Sequence, residues 1–163
     1  MTENEERVAD RVVLRYERVL PHPIEDVWHA ITDPDEINGW WGTRPEIDLR
    51  VDGEYVSHHA TGDRVVDRIV RLEPPYLLEH TFWRHVNPDA RVTYELRSVA
   101  SGTLLVLTHT MTEADLRTAA EALSWQGDLY DLVARTAAGW PRLLRALDGS
   151  LRGAHHTSRS TPA

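Results

Sequence analysis

The chain has 163 residues, enough for one ordinary domain with its own core. Its 18 basic and 26 acidic side chains give a net charge of −8, which repels phosphate backbones and anionic lipid surfaces and argues against a nucleic-acid partner. The absence of cysteine excludes disulfides, thiol nucleophiles, iron–sulfur ligands and cysteine zinc sites, and with no signal-like stretch or long apolar run we expect a soluble cytoplasmic protein without membrane insertion.

Residues 1–9 are charged and patternless and read as a flexible N-terminal tail. Val12, Leu14, Tyr16 and Arg18 then alternate with Val13, Arg15, Glu17 and Val19, the pattern of a strand with one apolar face, and Pro21-His22-Pro23 stops it. Ile24, Val27, Trp28 and Ile31 fall on one helical stripe. A second short helix follows, capped around Asp33-Pro34-Asp35 and ended at Asn38-Gly39, which places Trp40-Trp41 where the chain leaves it. From about Pro45 to Met111 the period is two. Turn signals at Asp52-Gly53, Thr61-Gly62, Glu73-Pro74-Pro75, Asn87-Pro88 and Ser101-Gly102 divide this stretch into six strands. Thr112 caps a short helix within residues 112–126. A long final helix carries Leu129, Leu132, Val133, Thr136, Trp140, Leu143, Leu144 and Leu147 on one face, and Pro141 predicts a kink near Ala137 or Ala138. Residues 150–163 read as a C-terminal tail, leaving a single domain at 10–149. The fold class is α+β: a seven-stranded antiparallel sheet, with two short helices between strands one and two, curling round the last helix and leaving space beneath it.

The order of elements and several local motifs carry a resemblance. They are Pro23-Ile24-Glu25-Asp26-Val27-Trp28 with Asp33-Pro34, then Trp40-Trp41, Glu73-Pro74-Pro75, Gly102-Thr103 through Leu107-Thr108-His109, and Ala138-Gly139-Trp140. Together these resemble the START-like (SRPBCC, helix-grip) superfamily, and within it the bacterial stand-alone proteins similar to the C-terminal domain of the heat-shock chaperone ATPase activator. The resemblance implies a cavity for a small hydrophobic or amphipathic molecule, with lipid carriers and polyketide cyclases among the members. Residues 112–126 are longer than the usual link into the last helix, and no separate chaperone-binding segment precedes the domain, which weighs against chaperone activation.

Alternation and turn positions sketch the cavity wall independently of the family. A two-residue turn at Ser101-Gly102 places Val92 opposite Met111, Tyr94 opposite His109 and Leu96 opposite Leu107. A turn at Thr61-Gly62 places Tyr55 opposite Arg68, Ser57 opposite Val66 and His59 opposite Arg64, so Arg68 faces inward and can hold an anionic head group. Leu78, His80 and Phe82 share the inner face of the intervening strand. One permitted register aligns His80, Tyr94 and His109 across three strands, a row able to orient a carbonyl or hydroxyl group or to move protons. Trp40 or Trp41 is placed near the mouth, and Val133 and Trp140 on the inner face of the last helix. No metal is expected: strands two apart lie about 9.5 Å from each other, and no carboxylate joins the histidines in that row.

The leading expectation is therefore binding of a small hydrophobic molecule in the cavity, without a cofactor. The alternatives are a cyclase or dehydratase using His80, Tyr94 and His109 as acid–base groups, and an interaction protein whose outer surface meets a chaperone or regulator. A homodimer and a chaperone contact stay open. The unequal aromatic inventory, 6 Trp and 5 Tyr against 1 Phe, fits a partly hydrated internal pocket better than a sticky exterior.

Overall fold

Period-two alternation builds one eight-stranded antiparallel sheet in the computed structural model, which describes residues 3–8 as backbone, 10–59 and 62–157. The elements are β1 (Glu3–Val8), β2 (Arg11–Leu20), α1 (Ile24–Thr32), α2 (Pro34–Trp41), β3 (Glu46–Ile47), β4 (Glu54–His58), β5 (Arg64–Glu73), β6 (Leu77–Thr81), β7 (Arg91–Val99), β8 (Gly102–Thr112), α3 (Glu113–Ala122) and α4 (Leu129–Thr157). The strand order is β1-β2-β8-β7-β6-β5-β4-β3. Strands β2 to β8 are the seven expected.

β1 is an eighth strand, formed by residues expected to be a tail. Glu3–Val8 pairs antiparallel with β2 from Glu3↔Tyr16 to Val8↔Arg11. A charged edge strand is held by backbone pairing, so its sequence carries no apolar alternation to announce it. At the other end, α4 continues to Thr157, so the boundary drawn at residue 149 falls inside the helix; residues 158–163 lie outside the described residues, as does Thr61 of the expected turn.

The inner face follows the expected alternation. In β8, Thr103, Leu105, Leu107, His109 and Met111 are buried in strict alternation; β7 buries Val92, Tyr94 and Leu96, and β2 buries Val12, Leu14 and Tyr16. A break in register between Ile69 and Arg71 of β5 bends the sheet at its middle.

Two registers differ from expectation. The β7–β8 turn closes one residue earlier, with Val99 opposite Gly102, so Val92 faces His109, Tyr94 faces Leu107 and Leu96 faces Leu105. This shift is even, and every residue keeps its face. Gly102, at φ 137°, is needed for a close crossing: a Cβ there would stand 2.1 Å from the Leu20 carbonyl oxygen. The β4–β5 connection slips by one, setting Tyr55 opposite Asp67 and Glu54 opposite Arg68. An odd slip turns β5 over relative to β4, so Asp67 points inward and Arg68 outward while Tyr55 keeps its face.

The helices are fixed locally. Asp33 accepts the Asp35 and Glu36 backbone N–H groups to start α2, which runs through Asn38-Gly39 and ends at Gly42, φ 91°. Trp40 thus lies within α2, its indole N–H donating to the Ala30 carbonyl at 2.8 Å and locking α2 to α1. α4 passes through Pro141 without interruption. Proline has no N–H for the carbonyl four residues earlier, that of Ala137, and the Tyr16 hydroxyl donates to it instead at 2.8 Å.

Candidate functional site

α3 and the loop between β6 and β7 roof a cavity of about 620 Å3 whose floor is β8 and whose far wall is α4. The sequence of α3 explains its role. Leu116 and Ala119 are buried at helical spacing and line the cavity, with Leu123 at the helix end exposed at its edge, while Arg117, Thr118 and Glu121 face solvent. Leu132 and Thr136 of α4, Met111 of β8 and Phe82, Trp83 and Val86 of the loop complete most of the wall. Asp115, almost fully buried, ties roof to loop: its carboxylate accepts the Thr112 N–H in a capping box and the Asp89 N–H at 3.0 Å.

His109 stands in the cavity wall, 1% exposed. The Trp140 indole N–H lies 3.1 Å from its Nδ1. Indole only donates, so Nδ1 accepts and the imidazole proton sits on Nε2. That Nε2 is buried without a hydrogen-bond partner. Burial, assisted by neighbouring His80 and opposed by Asp115, lowers the His109 pKa to about 3, so the ring is neutral at physiological pH. Phe82 meets this ring edge-on at 4.9 Å.

A second, smaller chamber of about 20 Å3 lies beyond Phe82 and Trp83, which line both spaces. Its wall mixes polar groups, Thr43, Tyr55, Ser57, His59, Asp67, His80 and Tyr94, with the apolar Ile37, Trp41 and Pro45. Tyr55 stacks on His80 with ring centroids 4.6 Å apart, and Tyr94 lies 6.0 Å from His80. His80 Nδ1–H donates to the Thr81 carbonyl at 2.6 Å. Burial pushes both tyrosines up and His80 down, keeping all three uncharged near neutrality.

Asp67 organises the partition between the chambers. It is buried, and its carboxylate accepts from the Thr81 hydroxyl at 2.7 Å and from the Trp83 and Arg84 backbone N–H groups at 3.1 and 3.0 Å. These bonds hold Trp83 at φ 53°, an uncommon conformation for a large side chain.

The expected site residues fall into three groups. Trp41, Tyr55, Ser57, His59, His80 and Tyr94 line the small chamber, His109 and Met111 the large one, and Phe82 both. Leu78, Leu96, Leu107, Val133, Trp140 and Trp40 are packed in the core and line neither space. Arg68 is turned out, its guanidinium donating to the Asp52 carbonyl at 2.9 Å and standing 3.9 Å from Glu54, so it offers no inward anion contact. The expected row of His80, Tyr94 and His109 does not form: Val92 stands between the two histidines, and Tyr94 is paired with Leu78 and Leu107. Sequence reasoning missed Asp67, Thr43, Trp83 and the α3 residues. For α3 a signal existed, since its apolar stripe sits on the stretch already read as a helix. Among the described residues no three histidine or carboxylate side chains converge as a metal site, and no helix is long and apolar enough to cross a membrane.

A family profile described as Activator of Hsp90 ATPase homolog 1-like protein matches residues 21–152. No curated protein matches the sequence. Among solved structures, the chain is similar to CalU16 of Micromonospora echinospora, with 24% identity over 92% of this chain and 83% of that one and a TM-score of 0.62. It is also similar to the AHSA1-like protein of Aeromonas hydrophila (21% identity, 88% and 94% covered, TM-score 0.66) and to protein BH1534 of Bacillus halodurans (20%, 84% and 94%, 0.68). At such identities the likeness is one of fold.

Proposed function

The chain belongs to the Activator of Hsp90 ATPase homolog 1-like family, and from that premise we propose that it binds a small, largely apolar molecule in the cavity beneath α3. The observation that carries this is the cavity of about 620 Å3 between β8, α3 and α4, within the size range of small-molecule sites and walled mostly by aliphatic and aromatic groups.

The cyclase reading has less support. Of its three acid–base candidates, His80 and Tyr94 line a chamber of about 20 Å3, room for about one water molecule and not for a polyketone. His109 reaches the larger cavity, but its Nε2 already bears the proton and its Nδ1 is engaged by Trp140, which disarms it as a base.

Binding is tested by titrating the protein with N-phenyl-1-naphthylamine, an uncharged fluorophore that brightens in apolar surroundings. Saturable enhancement is expected. Ala119→Trp, which fills the cavity from α3, should weaken it at least tenfold while circular dichroism stays unchanged. No saturable signal in the unaltered protein, or equal binding by the variant, would sink the proposal.

A further inference from the structure

We infer that the molecule this cavity takes carries one uncharged hydrogen-bond acceptor, of the ketone, ester or ether type, and that His109 Nε2–H receives it. The inference rests on the cavity reading above and narrows it to a chemical class.

Three observations bear on it. First, the proton is on Nε2 because the Trp140 indole, which can only donate, holds Nδ1 at 3.1 Å. Trp140 is therefore a positioning residue: it sets the tautomer and the plane of the ring without reaching the ligand. Second, Nε2 has no partner within the protein although His109 is 1% exposed and lies in the cavity wall. Nε2 itself has almost no open surface, and because a buried donor left unmet is costly, a ligand whose acceptor reaches it gains a bond that a purely apolar ligand does not. Third, the Phe82 ring stands edge-on to His109 at 4.9 Å, is only partly buried and lines both chambers, so it is the neighbour that has to turn aside for an acceptor atom to reach Nε2.

Charge argues for a neutral acceptor. The imidazole stays neutral, and the cavity wall it belongs to is mostly apolar, Phe82, Met111, Leu116 and Leu132 among it, with Thr136 and Asn87 as uncharged polar members. A carboxylate brought there would lose its hydration for a single neutral donor, a poor exchange. The charged side chains of the cavity, Asp63 and Arg64, are exposed at its rim and opposite in sign.

The test uses three probes of one shape, 2-ethylnaphthalene, 2-acetylnaphthalene and 2-naphthoate, each displacing N-phenyl-1-naphthylamine. The ketone should bind about tenfold tighter than the hydrocarbon, and tighter than the carboxylate. In His109→Phe the gap between ketone and hydrocarbon should close. Because that substitution also orphans the Trp140 N–H, a second reading is taken on the unaltered protein with 15N-labelled histidine: the His109 signals should report the Nε2–H tautomer and shift with the ketone, not with the hydrocarbon. Trp140→Phe should release the tautomer to a mixture and shrink the ketone's advantage.

Equal affinity for ketone and hydrocarbon, or tightest binding by the carboxylate, would overturn the acceptor class while leaving the cavity reading intact. Failure of the naphthylamine fluorophore to bind at all would remove the cavity reading itself. An Nδ1–H signal in the free protein would overturn the part assigned to Trp140.

Discussion

His109 illustrates how one buried side chain can make stability depend on pH. An unfolded histidine takes up its proton as pH falls through about 6.5, whereas folded His109 does so only near 3. Between those values the unfolded chain binds more protons, so the stability this group allows is complete above 6.5 and declines as pH falls, by about 1.4 kcal/mol per pH unit. His80, also lowered by burial, acts in the same direction. We expect urea-unfolding stability to drop between pH 6.5 and 5, before most carboxylates titrate, and His109→Phe to lessen that slope by about 1 kcal/mol per unit. Identical slopes would mean that folded His109 protonates normally. The histidines were legible in the sequence because their strand alternation is unbroken. Asp67 is not: a one-residue difference in the β4–β5 register decides whether it or Arg68 faces inward, and a two-residue turn at Thr61-Gly62 points to Arg68.

At the scale of elements, local codes carried most of the fold. The strand faces, the start of α2, the capping of α3 and the stripe of α4 all follow from period and cap chemistry. What period and caps do not encode is contact with a distant partner. Asn38-Gly39 reads as a helix end, yet Trp40 continues α2 because its indole finds the Ala30 carbonyl. Pro141 lies inside a helix that continues past it, and its missing donor to Ala137 is replaced from β2 by the Tyr16 hydroxyl. Tyr16→Phe keeps the ring and removes the hydroxyl that makes that bond. We expect it to lower stability by about 1–2 kcal/mol, as a buried carbonyl left unmet does, with little effect on ligand affinity. Thermal and urea melts check this; unchanged stability would show that water or a bifurcated helical bond already serves Ala137.

Across the whole molecule, stability and function are allotted to different halves. The sheet centre, β2-β8-β7, is paired on both sides of β8 and packed on α1 and α4, with α2 packed on α4 in turn, and Leu14, Leu107, Leu105 and Leu147 of this core are at most 2% exposed. α3 rests on a cavity instead, with Leu116 and Ala119 as its buried apolar anchors and Asp115 joining it to the loop before β7. Burying less apolar surface, this roof should open at lower free energy than the sheet. Hydrogen exchange of the unliganded protein is therefore expected to show amides of α3 and residues 83–90 exchanging well before those of β7 and β8. Saturation with the naphthylamine fluorophore should protect the roof most, since a ligand that binds only the closed form stabilises it in proportion to the logarithm of its concentration over Kd. The opposite pattern, with α3 exchanging only on global unfolding and gaining nothing from the ligand, would mean that the roof is fixed and that the ligand reaches His109 by another path, with Phe82 and the β6–β7 loop the elements left to move.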